Sequence, residues 1–229
     1  MRKPLACSFQ DFTRSDAMCR LLCIKSKNPF PIHHHLQIFA GIARSSKEYQ
    51  GHGWGLAYLH NGEWKHYHNI RPVWEDDPNQ FGTTPLMLAH ARSAYQDRNI
   101  SVENNMPFHD QRYVFIFNGE LHGVRIKTEG RIGAEKVFNF IRQLDRGNMG
   151  ETIVKAQTII AKRSSYIRAM NIIIADKERV YVASRFNEDA DYFTMHYKQT
   201  AVSLIICSEK YPDEQNWVAI KNNSVRIFQ

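Results

Sequence analysis

Tyr113-Val114-Phe115-Ile116-Phe117 is a run of bulky, β-prone side chains with no polar residue between them. Successive side chains of a strand point to opposite faces, so this run makes a strand that is apolar on both. Such a strand needs cover above and below, which calls for packed layers of sheet and helix.

The rest of the chain offers those layers. Leu21-Leu22-Cys23-Ile24 reads as a short apolar strand ended by Asn28-Pro29. From Pro31 to Ser46, Leu36, Phe39, Ala40 and Ala43 recur at helical spacing. Leu56 to Leu59 and Glu63 to Ile70 flank Asn61-Gly62, a hairpin signal. The proline- and glycine-bearing stretch 71–85 reads as a long loop, and Leu86 to His90 as a strand. Ala134 to Leu144 and Gly150 to Lys162 are amphipathic helices. Strands are expected again at Met170–Ala175, Val180–Ala183, Ala201–Cys207, Val218–Ile220 and Val225–Phe228. Strands thus flank two central helices, and no repeat or linker divides the chain, so one mixed α and β domain is expected over residues 19–229.

A chain of 229 residues with 43% hydrophobic residues can bury a substantial core. No apolar run reaches the roughly 18 residues of a membrane span, and the first 18 residues lack the apolar stretch of a secretory signal. A cytoplasmic protein with no membrane partner is the expectation. The four cysteines, Cys7, Cys19, Cys23 and Cys207, form no CxxC pair, so reduced thiols are expected, with Cys23 and Cys207 in the core. The net charge of +7 is scattered and no nucleic-acid module occurs; an anionic small molecule fits this charge, and nucleic acid is not an expected partner.

The polar residues fall into a pattern of their own. Cys19 follows Met18 and opens Cys19-Arg20-Leu21-Leu22. Downstream lie His52-Gly53-Trp54-Gly55, His90-Ala91-Arg92-Ser93-Ala94 and Phe117-Asn118-Gly119-Glu120-Leu121. Read alone, Cys19 is a buried cysteine at a strand start, Asn118-Gly119 a hairpin turn, Arg92 a surface ion-pair member and Trp54 a core residue. Read together, they offer a thiol, oxyanion donors and a guanidinium for a carboxylate, the parts amide hydrolysis needs.

In order and spacing these segments resemble the class II glutamine amidotransferases, N-terminal-nucleophile hydrolases, in their short, stand-alone forms. The likeness spans Cys19 to Glu135, with a weaker echo at Ser208-Glu209 before Trp217. It implies a four-layer αββα sandwich and a glutaminase-type reaction without cofactor or metal. Cys19 would be the nucleophile, with its own freed α-amine as base. Asn118 and Gly119 would hold the oxyanion, and Arg92 would grip the substrate carboxylate. Gly53 and Trp54 would stand beside the nucleophile. His52 occupies a position where relatives carry an acidic residue. Ammonia would be hydrolysed off or delivered to a partner synthase, and a homo-oligomer is compatible with the pattern.

The chain departs from the family at two places. The family places an aspartate for the α-amine of glutamine two residues before the glutamate that here is Glu135; this chain has Gly133, with Arg131 nearby. Met106 stands where the family has a histidine before Pro107. An altered γ-glutamyl amide substrate, a γ-glutamyl peptidase acting on glutathione-like compounds, and an inactive binding module are the alternatives. Residues 1–18 are expected to be a leader or propeptide, a mis-assigned start ahead of Met18, or a retained segment that blocks the α-amine. Metal binding is not expected at His33-His34-His35, because adjacent helical residues point in different directions. His66 and His68 would share a strand face without an evident third ligand, and Asp76-Asp77 reads as a surface turn.

Overall fold

The computed structural model describes residues 18–229. Cys7 and most of the expected leader, residues 1–17, lie outside the described residues. The first elements are strand β1 (Arg20–Pro31), helix α1 (Ile32–Arg44), strands β2 (Trp54–His60) and β3 (Glu63–Asn69), and strand β4 (Thr83–Ala91). After β5 (Phe108–His109) and β6 (Val114–His122) come helices α2 (Gly133–Leu144) and α3 (Met149–Arg163). The chain continues with β7 (Tyr166–Ala175), β8 (Val180–Ser184), the short helix α4 (Ala190–Phe193), β9 (His196–Gln199) and β10 (Ser203–Cys207). It ends with β11 (Val218–Ala219) and β12 (Ser224–Phe228).

These strands form two antiparallel sheets. One has seven strands in the order β11-β9-β10-β1-β4-β2-β3, the other five in the order β12-β8-β7-β6-β5. Side-chain alternation sorts the residues of β1 between the layers. Leu22 and Ile24 pack with Leu36, Phe39 and Ile42 of α1, while Leu21 and Cys23 pack against the second sheet. β4 does the same, with Met87 toward α1 and Leu88 toward the other sheet. The run 113–117 is buried at every position; Phe115 stacks on Phe138 of α2 with ring centroids 5.0 Å apart. One helix on one sheet and two on the other complete the expected α+β, four-layer αββα arrangement.

Asn61-Gly62 is the expected hairpin turn, with φ of 53° and 77°. Asn28-Pro29 does not end β1, which runs on to Pro31 through an irregularity in its pairing with β4. The loop 71–85 holds two single 3₁₀ turns, Val73–Glu75 and Pro78–Gln80, and then enters β4 at Thr83. Asp76 is more than a surface turn: its Oδ2 accepts hydrogen bonds from the Trp54 indole, the Tyr67 hydroxyl and the Asn69 amide. Among the described residues, no helix is long and apolar enough to cross a membrane.

Candidate active site

Asn118-Gly119 lies inside β6 and makes no turn. Asn118 pairs with Asn171 and Gly119 with Met170 across to β7. A Cβ on Gly119 would run into the Ala169 carbonyl oxygen, so only glycine fits this close approach of strands. The placement lets β6 present a side-chain amide at the level where β1 begins. The Cys19 backbone N–H donates to Asn118 Oδ1 at 2.9 Å. Asn118 is 1% exposed, yet its Nδ2 has no hydrogen-bond partner. A buried amide donor left unpaired costs roughly 1–3 kcal/mol, so its persistence on a side chain bonded to Cys19 calls for an acceptor supplied from outside.

Cys19 is buried, and its thiol donates to the Ser93 carbonyl at 3.6 Å. Burial pushes the thiol up to about 11, while a backbone hydrogen bond at Ser93 and the Arg92 charge pull the other way. With Met18 attached, the Cys19 nitrogen is a peptide N–H and supplies no base. Met18 itself is fully buried among Ala169, Phe186 and Phe193. Its carbonyl accepts from Gln50 Nε2 at 2.5 Å and from the Tyr192 hydroxyl at 3.2 Å.

Just past Cys19 the chain is held by its own C-terminal part. Leu21 and Ser208 exchange hydrogen bonds, N–H to Oγ and N–H to carbonyl, each at 3.0 Å. Arg20 pairs with Glu209 at 2.8 Å and lies over the Tyr192 ring. This is the structural counterpart of the Ser208-Glu209 signal.

Arg92 follows the last residue of β4 and is 5% exposed. Its guanidinium donates to Asn105 Oδ1 at 3.3 Å and to the Asn99 carbonyl at 2.9 Å. Both acceptors are neutral. Among the described residues no carboxylate pairs with Arg92, and it is not the surface ion-pair member of the local reading. Asn105 and Asn99 were not legible in the sequence as site residues.

His52 has a definite job. Its Nδ1 accepts from the Ala94 N–H at 2.8 Å, which leaves the proton on Nε2, 3.3 Å from Asp97 Oδ1. Its backbone N–H donates to the Arg92 carbonyl, and the Arg92 N–H donates to the Gly53 carbonyl. His52 and Gly53 therefore fix the segment 92–97 by hydrogen bonds. Gly53, at φ 102°, lets Asn105 come close, since a Cβ there would strike the Asn105 amide. Trp54 is 1% exposed and packs against Tyr67 and Phe81 on the α1 side of the sheet. It does not line the cavity.

That cavity has a volume of about 650 Å³, within the range that holds a small-molecule ligand. Cys19, Arg92, Ser93, Phe117 and Gly119 lie on its wall, together with Met106 and the start of α2 at Gly133. Cys19, Arg92 and Gly119 are thus brought to one cavity, with Asn118 directly behind it. Among the described residues no cluster of three or more histidine, cysteine or acidic side chains is arranged to hold a metal ion. His66 stacks on His109 at 3.6 Å, and the His68 ring meets the Pro107 carbonyl at 3.1 Å.

No family model and no curated protein matches the chain. Solved structures do. A glutamine aminotransferase class-II domain protein from Silicibacter pomeroyi superposes with a TM-score of 0.62 at 15% identity, over 91% of this chain and 94% of that one. A predicted glutamine amidotransferase from Pseudomonas aeruginosa PA01 gives 0.64 at 15% identity, over 92% and 97%. Glutamine phosphoribosylpyrophosphate amidotransferase from B. subtilis, complexed with ADP and GMP, gives 0.60 at 13% identity, over 83% of this chain and 42% of that longer one. Coverage of nearly the whole chain by the first two, with both sheets and their helices in place, gives this protein the N-terminal-nucleophile hydrolase fold of the class II glutamine amidotransferase domains.

Proposed function

We propose that the protein is a cysteine-nucleophile amide hydrolase that cleaves a γ-glutamyl amide once Cys19 is its first residue. The observation that carries this reading is the unpartnered, buried Nδ2 of Asn118, whose Oδ1 holds the Cys19 N–H.

In this mechanism the freed α-amine, with an ordinary pKa of about 7.7–8.0, takes the thiol proton through water. The sulfur attacks the γ-carbonyl carbon, and the carbonyl oxygen becomes an oxyanion held by Asn118 Nδ2 and the Gly119 N–H. The C–N bond breaks, and the leaving nitrogen takes the proton from the α-ammonium. Water then adds to the thioester, gives its proton to the α-amine, and the γ-carboxylate leaves as the thiol reforms. Arg92 holds the substrate α-carboxylate throughout. Where the leaving group is ammonia, a separate synthase is a fitting acceptor.

The rival reading is a binding module that keeps Met18 and never frees the amine. The held Met18 carbonyl and a thiol pushed up to about 11 favour it. Intact-mass measurement of the purified protein, before and after treatment with diazoketone analogues of glutamine whose α-nitrogen is free in one and acetylated in the other, decides between them. A chain starting at Cys19 that gains one analogue mass supports the hydrolase. A full-length chain that stays unlabelled sinks it.

A further inference from the structure

The cavity wall is unbalanced in charge. It carries four cations, Arg92, Arg98, Arg131 and Lys136, and a single carboxylate, Glu120. That carboxylate is already engaged: Glu120 sits 3.3 Å from Arg168 and 2.7 Å from His122. Of the cations, only Arg131 has an acidic partner, Glu135, at 2.6 Å. Arg92, Arg98 and Lys136 have none among the described residues. Free glutamine is a zwitterion: its carboxylate can take up Arg92, but its ammonium would face Arg98 and Lys136, both unopposed, with no free carboxylate to receive it. The N-terminus of α2 lacks a side-chain cap and adds a partial positive charge, offset in part by Glu135 in its first turn.

Apolar side chains fill much of the remaining wall, among them Leu121, Val124, Ile126 and Ile132. An acyl group on the α-nitrogen would remove the ammonium, leave a net anion, and place apolar atoms against these residues. Gly133 lies on this wall at the first position of α2, and a Cβ built on it meets nothing within 4 Å. The space at Gly133 is open and uncharged.

We propose that the substrate is a γ-glutamyl amide whose α-nitrogen is acylated, an Nα-acylglutamine or a related Nα-acyl γ-glutamyl amide, and that Gly133 sets this preference by leaving the first position of α2 without a carboxylate. This rests on the amide-hydrolase reading but concerns only which amide is bound.

The test is calorimetric binding to the full-length Cys19→Ala protein, which reads affinity with no chemistry involved. Nα-acetylglutamine should bind at least about tenfold more tightly than free glutamine, since one misplaced charge near a protein surface is easily worth that factor. Gly133→Asp adds a carboxylate at a first-turn position where acidic residues suit a helix. It should reverse the order by about tenfold or more. Lys136→Gln, an exposed position, should narrow the gap between the two ligands without reversing it. Free glutamine binding as tightly as the acetyl compound overturns the proposal, as does a Gly133→Asp protein with an unchanged ratio. Neither outcome touches the hydrolase reading, which stands or falls on labelling of Cys19.

Discussion

Two arginines, Arg92 and Arg168, are buried to nearly the same extent, at 5% and 4% exposure, and they live in opposite surroundings. Arg168 is ringed by carboxylates: Asp189 at 3.2 Å, Glu120 at 3.3 Å, and Glu48 and Glu188 at 3.7 Å. Arg92 meets only the amide oxygens of Asn105 and Asn99. Removing an ion from water costs several kcal/mol, and a protein normally recovers this with a partner charge. Around Arg168 the fold supplies those partners itself. Around Arg92 it supplies enough hydrogen bonds to orient the guanidinium and leaves the countercharge to a ligand. The first arrangement is scaffolding, and the second suits the substrate-binding role proposed for Arg92.

Substitutions can break this contrast in graded ways. Arg168→Met leaves acidic groups facing one another without their cation, and thermal or urea unfolding should register a loss of about 3–5 kcal/mol. Asn118→Ala acts on the other side of the ledger between scaffold and site. It removes an unpaired buried donor together with the Oδ1 that accepts the Cys19 N–H, so stability should fall by only about 1–2 kcal/mol, while kcat on the proposed mature enzyme should fall on the order of 10²–10³. A stability loss well beyond that would make Asn118 structural.

Acid probes the same neighbourhood without mutation. His90 is fully buried, and burial together with the Arg92 charge lowers its pKa to about 3. The unfolded chain, with histidine near 6.5, binds the extra proton first as pH falls. Stability from neutral His90 is therefore present above about pH 6.5 and is lost progressively toward pH 3, by on the order of 1–2 kcal/mol at pH 5. His90→Leu should flatten that part of a melting-temperature profile against pH. The smallest effect belongs to Arg92→Met. Without a carboxylate to orphan, it should change stability by under about 1 kcal/mol, while weakening carboxylate-bearing ligands far more. A large destabilisation there would erase the contrast drawn above.

The layered architecture was readable because its signals are local. The unbroken run 113–117, the Asn61-Gly62 turn and the apolar faces of α1, α2 and α3 each commit a segment without help from distant residues. β5, β9 and α4 escaped notice because they are two to four residues long and depend on neighbours. Asn118-Gly119 shows how far a local reading reaches. As a dipeptide it spells a turn, and only pairing with β7 turns it into strand. Trp54 is the converse: proximity in sequence to Gly53 suggested the cavity wall, but alternation along β2 sends it to the α1 side. Ser93 and Asn105 lie in or beside segments that carry the family resemblance, but they act through a backbone carbonyl and through an amide that meets Arg92 across a turn of chain, roles that the residue types do not announce.

Were Cys19 to become the first residue, Met18 would link that maturation to durability. Its side chain packs with Ala169, Phe186 and Phe193, and its carbonyl accepts from the Gln50 amide and the Tyr192 hydroxyl. A chain starting at Cys19 would keep those walls and lose their occupant, so two polar groups and an apolar hollow would be opened to solvent just behind the proposed nucleophile. The form with a working amine would be the softer of the two, and a water entering that hollow would stand within reach of the very nitrogen that has to pass protons.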